Sequence, residues 1–324
     1  MAERGTGMAR KTKVYIDGSE GTTGLRIFER FENRDDIELI KINPELRKDP
    51  AERAKMINQS DITFLCLPDA ASIEAVSLCT DPDVKIIDTS TAHRTNPDWA
   101  YGFPELSKEH REAIRTGKRI AVPGCYASGF IGIGYPLVKE CILPADYPVS
   151  VFAVSGYSGG GKKLIAAYEE EGRDKKFDSA RMYAWSQSHK HLPEMKIITG
   201  LKNEPLFCPM TTNYHSGMIV QVPLFTNLLN KKLTPEELRD FFADYYKNEK
   251  FIRVLPFGAE AEAGGAMFSD ACAGWDGMEI LVTGNADRVV VATRFDNLGK
   301  GASGAAIQCM NLIIGADEAK GLVL

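Results

Sequence analysis

The chain has 324 residues, 44% hydrophobic and 26% charged, with a formal net charge of −5 and a pI near 5.7. That length favours two domains over one, and the acidic balance, unrelieved by any basic run, argues against a nucleic-acid or anionic-membrane partner. The longest apolar-looking stretch, residues 301–316, is too short for a bilayer span and is broken by Gln308 and Asn311.

The polar opening MAERGTGMARKTK lacks the apolar core of a secretory signal and reads as a frayed leader. β-rich runs follow at 13–17, 37–42, 61–68, 84–90 and 119–123, separated by helical spacing such as TTGLRIFERF and AASIEAVSLC. Strands alternating with helices predict βαβ units and a Rossmann-type parallel sheet, with ligand groups at the carboxyl ends of its strands. Beyond about residue 148 the texture changes to VSVFAVSG, GMIVQVPLF, FIRVLP, EILVTG and RVVVATRF, the last two flanking a hairpin turn at Asn285, Ala286 and Asp287. A single strong helix interrupts them, with Thr234, Pro235 and Glu237 forming a capping box. This pattern predicts an α+β domain with a mixed or antiparallel sheet, and a last helix in KGASGAAIQCMNLIIGA. The predicted division is a nucleotide-binding unit of residues 1–124 and 297–324, and a catalytic and oligomerisation unit of residues 125–296.

Four segments carry candidate chemistry. In VYIDGSEGTTGL a strand runs into a glycine turn and a helix. Gly18, Gly21 and Gly24 let the backbone approach a pyrophosphate, with Ser19, Thr22 and Thr23 as neighbouring hydroxyls. At the end of the second strand Glu45 is followed by Arg47 and Lys48, cations suited to a 2′-phosphate, so NADP is the expected cofactor. Cys125 in AVPGCYASG stands between a Pro-Gly turn and a helix start, where unpaired N–H groups would lower its thiol pKa. In HKHLPEM an extended chain would direct His189 and His191 to one side, and a neutral imidazole there can exchange protons with a thiol. Glu194 could orient one of them. A zinc site using this pair with Cys208, His215 or Glu194 lacks a third ligand at convincing spacing, so no metal is expected. Seven scattered cysteines without a CxxC pair fit free thiols in a reducing compartment, the cytoplasm.

IDGSEGTTGL, DTSTAHR, YGFPEL, VPGCYASG, SGYSGGGK, HKHLPEM and DNLGKGASGAAIQCMNL, in this order, resemble the shorter form of the N-acetyl-gamma-glutamyl-phosphate reductases of arginine biosynthesis. The resemblance runs from about residue 12 to the C-terminus. It implies NADPH-dependent reduction of an acyl phosphate to a semialdehyde through a thioester on Cys125. It points to the histidine pair, with His189 favoured as acid/base and His191 as its neighbour in substrate binding. Arg94 is the implied phosphate guanidinium; Ser155 and Gly159 fall beside the substrate and nicotinamide, and Asn297 near the nicotinamide amide. Where relatives often carry arginine at the end of SGYSGGGK, this chain has Lys162. The layout implies a homodimer or homotetramer built through the second domain. Aspartyl-phosphate reduction, carrier-linked aminoadipyl-phosphate reduction and a non-catalytic NADP sensor are the competing readings.

Overall fold

The computed structural model describes residues 10–324; most of the expected leader, residues 1–9, lies outside the described residues. Among the described residues, thirteen strands form two sheets, accompanied by ten α-helices. The first unit runs β1 (Thr12–Asp17), α1 (Thr22–Phe31), β2 (Ile37–Ile40), α2 (Pro50–Gln59), β3 (Ile62–Leu65), α3 (Asp69–Leu78), β4 (Lys85–Asp88), β5 (Ala100–Tyr101), α4 (Lys108–Thr116) and β6 (Arg119–Ala121). Its strands order as β2-β1-β3-β4-β6-β5, and every pairing is parallel. Strands buried on both faces read as continuous apolar runs, as in β3, where Ile62, Thr63, Phe64 and Leu65 are all buried. Except for β1, which ends at Asp17 as expected, the predicted strands run past the observed carboxyl ends, because those residues leave the sheet for the loops that follow. β5 escaped the prediction, being only two residues long.

A long helix, α5 (Cys125–Lys139), crosses to the second unit. There follow β7 (Ser150–Gly156), α6 (Gly161–Glu169), β8 (Arg181–Met182), α7 (Leu192–Thr199), β9 (Leu206–Thr212), β10 (Met218–Phe225), α8 (Pro235–Tyr245), β11 (Ile252–Val254), α9 (Ala259–Glu262), β12 (Met278–Gly284) and β13 (Arg288–Phe295). The sheet order is β11-β12-β13-β10-β7-β9-β8, mixed because β11/β12 and β7/β9 are parallel and the rest antiparallel. The hairpin at Asn285–Asp287 and the Thr234/Glu237 capping box both form. One expectation is corrected: α8 is not a lone helix, since α5, α6 and α7 also belong to this half of the chain. The apolar faces of α5 and α7 pack on the sheet, Phe130, Leu137 and Met195 joining Val220 and Phe295 in one core.

The last helix begins differently from expectation. Residues Gly299–Ser303 form a π-helical turn before α10 (Gly304–Ile314). Ala305, Ala306, Ile307 and Met310 pack against Ile16, Phe64 and Ile120 of the parallel sheet. The chain therefore ends by returning to the unit in which it began.

Candidate active site

Cys125 is the first residue of α5, reached from β6 through Val122, Pro123 and Gly124. Gly124 is the N-cap and offers no side chain to the helix. Its smallness has a reason, because a Cβ there would collide with the His191 imidazole and the Arg94 guanidinium. Glycine thus lets two distant side chains close on the residue before the cysteine. The expected low thiol pKa is corrected. Burial dominates and pushes the thiol up to about 11, while the Tyr126 amide and the Arg94 and Lys190 charges pull the other way without cancelling it. Cys125 is half-buried yet protonated at neutral pH in this form.

The histidines meet, but not as an extended chain would bring them. Residues 189–191 form a turn into α7, with His191 in a helical conformation at its N-cap. Turn geometry stacks the two rings edge to face at 4.6 Å. Burial holds His189 down at about 4, and burial with the Arg94 charge holds His191 well below its usual range, so both are neutral at pH 7. The backbone N–H of His191 donates to His189 Nδ1 at 3.2 Å, so a neutral His189 carries its proton on Nε2. Nδ1 of His191 is buried and has no partner among the described residues.

Glu194 does not orient a histidine, contrary to expectation. Its Oε1 accepts from Arg94 Nη1 at 2.8 Å, and its Oε2 from the Tyr101 hydroxyl at 2.8 Å and the Gly124 N–H at 3.2 Å. Arg94 also donates from Nε to the Val122 carbonyl and from Nη2 to the Thr89 carbonyl, at 2.8 and 2.9 Å. Buried and internally paired, it differs from the freely bidentate anion clamp implied by the sequence; one N–H on each Nη is left over. This buried ion pair fixes the turn from which Cys125 starts.

At the carboxyl end of β1, Gly18 has φ of 86°, a left-handed conformation, and a Cβ there would collide with the Cys66 carbonyl. The Gly21 N–H closes the turn on the Gly18 carbonyl at 3.0 Å, and Gly24 is buried against that loop. α1 has no side-chain cap, which leaves the first-turn N–H groups of Thr22, Thr23 and Gly24 for an anion. A cavity of about 270 Å³ beside this loop is lined by Gly18, Ser19, Glu20, Arg47 and Lys48, but not by Glu45. Arg47 forms an ion pair with Glu20 across it, while Lys48 has no carboxylate partner among the described residues. These residues fit a dinucleotide whose pyrophosphate sits on α1.

A second cavity, of about 210 Å³, joins the two units. Thr23 of the glycine loop lines it together with Arg94, Gly124, Cys125, Gly159, His189, His191 and Asn297. Asn297 accepts from the Gly217 N–H and donates to Ser158 Oγ, both at 2.9 Å, so it also clamps the SGYSGGGK loop. A third cavity, of about 500 Å³, shares the Cys125 wall and continues to Ser155, Gly160, Lys163, Arg181 and Thr211. Ser155 Oγ donates to the Gly156 carbonyl at 3.2 Å. Lys163, not Lys162, lines this cleft. Sequence reasoning missed Lys163, Arg181, Tyr126, Tyr183 and the hydroxyl of Tyr101. Tyr126 had a signal, standing next to the cysteine; Arg181 had none. Among the described residues no three His, Cys, Asp or Glu side chains are grouped to hold a metal ion, and His215 lies apart, edge-on to Tyr157.

Residues 125–297 match the semialdehyde dehydrogenase dimerisation domain, and residues 19–114 the semialdehyde dehydrogenase NAD binding domain. The chain is 43% identical over 320 residues to N-acetyl-gamma-glutamyl-phosphate reductase 2 of Nostoc sp., covering 96% of this chain and 99% of that protein. It is 45% identical over 309 residues to the N-acetyl-gamma-glutamyl-phosphate reductase of Brucella ovis, covering 94% and 99%. Among solved structures, aspartate semialdehyde dehydrogenase from Francisella tularensis superposes with a TM-score of 0.71 at 15% identity, covering 94% of this chain and all of that one. Aspartate semialdehyde dehydrogenase II from Vibrio cholerae gives 0.70 at 16% identity, covering 95% and 99%. At such identities the structures speak for the fold alone.

Proposed function

Because the chain belongs to the semialdehyde dehydrogenase family, and within it to the N-acetyl-gamma-glutamyl-phosphate reductases, we propose that it reduces N-acetyl-L-glutamyl 5-phosphate to N-acetyl-L-glutamate 5-semialdehyde and phosphate, a step of arginine biosynthesis. One observation carries the reading. The cavity lined by Cys125 and both histidines is also lined by Thr23, in the first turn of α1 after the glycine loop. A nucleophile and a reductant site therefore open on one space.

Cys125 Sγ attacks the acyl carbon as its proton passes to an imidazole. The S–C bond forms, the C–O bond to phosphate breaks, and phosphate departs with the bonding pair. A nicotinamide, when bound, would supply the hydride to the thioester carbon; the C–S bond then breaks, freeing the aldehyde, and the Cys125 sulfur regains its proton from the imidazole. His189, its proton on Nε2, suits donation to the tetrahedral oxygen. His191, whose imidazole lies against Gly124 immediately before Cys125, suits acceptance of the thiol proton. This division reverses the expectation that His189 is the acid/base. Arg94 and Glu194 position the turn that presents the cysteine, and the two protons left on Arg94 would serve the phosphate. Ser155 would line the acyl side, and Gly159 and Asn297 would flank the nicotinamide.

NADP is the cofactor favoured by Arg47 and Lys48, which flank the glycine loop where a 2′-phosphate would lie. The matched dimerisation domain supports a homodimer or homotetramer. All seven cysteines are free, which suits a cytoplasmic protein, and no helix among the described residues is long and apolar enough to cross a membrane. The test is Cys125→Ser. It should abolish reduction of N-acetylglutamyl phosphate while NADPH still binds. Retained turnover overturns the covalent route, and faster reduction of aspartyl phosphate by the wild type overturns the substrate.

A further inference from the structure

The acyl cavity is electrostatically one-sided. Lys163, Arg181 and Lys190 line it, and no carboxylate does. Arg181 stands on the two-residue strand β8, opposite Thr211 of β9. Its guanidinium lies over the Tyr183 ring, 5.3 Å from the centroid, and no carboxylate lines the cavity beside it. An arginine left unpaired on an aromatic platform keeps its planar fork free for a ligand oxyanion.

We propose that Arg181 binds the α-carboxylate of the substrate and so selects for N-acetylamino acids over simple acyl phosphates. This rests on the reading of the chain as an acyl-phosphate reductase. Such a substrate has two anionic ends. The phosphate is attached to the carbon that Cys125 attacks, so it lies where the two cavities join, at the shared wall of Cys125, His189 and Lys190. The carboxylate is four carbon–carbon bonds from that carbon, a reach of roughly 5 Å. It must point away from the nicotinamide, hence into the cavity that Arg181 and Lys163 line and the glycine loop does not. Of these two cations, only arginine offers a carboxylate two parallel N–H bonds, and only Arg181 has a ring beneath it.

The experiment compares N-acetylglutamate 5-semialdehyde with its α-carboxamide in the reverse, phosphate-dependent oxidation, using wild type, Arg181→Ala and Arg181→Lys. Wild type should prefer the carboxylate by about 100-fold in kcat/KM, the range of a charged hydrogen-bonded pair. In Arg181→Ala that ratio should fall to about one, with the loss mainly in KM, and Arg181→Lys should lie between. A ratio unchanged in Arg181→Ala overturns the proposal, as does a wild type that treats both aldehydes alike. A wild type that oxidises neither counts instead against the acyl-phosphate reading itself, and the role of Arg181 falls with it.

Discussion

Cys125 should behave as a protonated thiol until a neighbouring imidazole takes its proton. Burial sets its pKa at about 11. At about pH 7.5 roughly 3 molecules in 10,000 would then carry the thiolate, against about 3 in 100 for an unperturbed thiol of pKa near 9. Alkylation by iodoacetamide, followed across pH in the absence of substrate, should therefore be about 100-fold slower at neutral pH than for an exposed cysteine. Its rate should climb about tenfold per pH unit with no plateau before pH 10. The other six cysteines are removed from the readout by mass spectrometry of the Cys125 peptide.

Turnover should not share that slope. Neutral thiol beside neutral imidazole is the reactive state, and it persists while both histidines stay unprotonated, with His189 at about 4. The acid limb of kcat/KM should consequently fall below pH 5, not near 6.5, the usual histidine range. His191→Asn should slow thioester formation by at least about 100-fold, the contribution of a general base. Its alkylation rate at high pH should stay that of the wild type, since ionised sulfur needs no base. A plateau of alkylation below pH 9 would refute the argument, because it would mean that the helix N-terminus outweighs desolvation after all.

Substitution of both Arg47 and Lys48 by alanine should raise KM for NADPH by at least about tenfold while leaving that for NADH within about twofold, as loss of phosphate-specific pairing requires; steady-state kinetics with both coenzymes read it. Gly18→Ala places a Cβ on a residue with φ of 86° and against the Cys66 carbonyl, so it should cost at least about 2 kcal/mol in urea unfolding and weaken coenzyme binding. Lys300→Met leaves the buried carboxylate of Glu105 without the ammonium 2.7 Å away and should destabilise the fold by about 3–5 kcal/mol, with Glu105→Gln added to it restoring part of the loss. His189, half-buried and neutral, is protonated more readily in the unfolded chain, so stability should fall as pH drops from about 6.5 toward about 4, and His189→Asn should flatten that slope.

Much of this molecule was legible because the signals were local. A glycine turn between strand and helix, a capping box at Thr234 and a hairpin between β12 and β13 each need only a few neighbouring residues to specify them. Both edge strands β5 and β8 were invisible for the converse reason. Two residues have no periodicity, and their pairing comes entirely from β6 and β9. The extra helices of the second unit were missed because α6 opens with glycines and α7 with His191-Leu192-Pro193, which read as loop. Arg181, on one of those short strands, could not be found by motif at all.

The site shows the same divide more sharply. Its reactive groups were readable as types, but their states were not, since a pKa depends on what surrounds the atom. Cys125 looked activated from its place at a helix start, and the wall around it reverses that effect. Glu194 looked like a partner for histidine three residues away, yet Arg94, one hundred residues earlier, and Tyr101 take both its oxygens. That competition has a functional sense. A carboxylate bound to a histidine would raise the imidazole pKa and keep it charged, whereas a carboxylate tied to Arg94 leaves burial and the nearby cations to keep both imidazoles neutral. Pairing Glu194 with Arg94 and not with a histidine thus keeps neutral imidazoles beside a thiol that burial leaves unionised at rest.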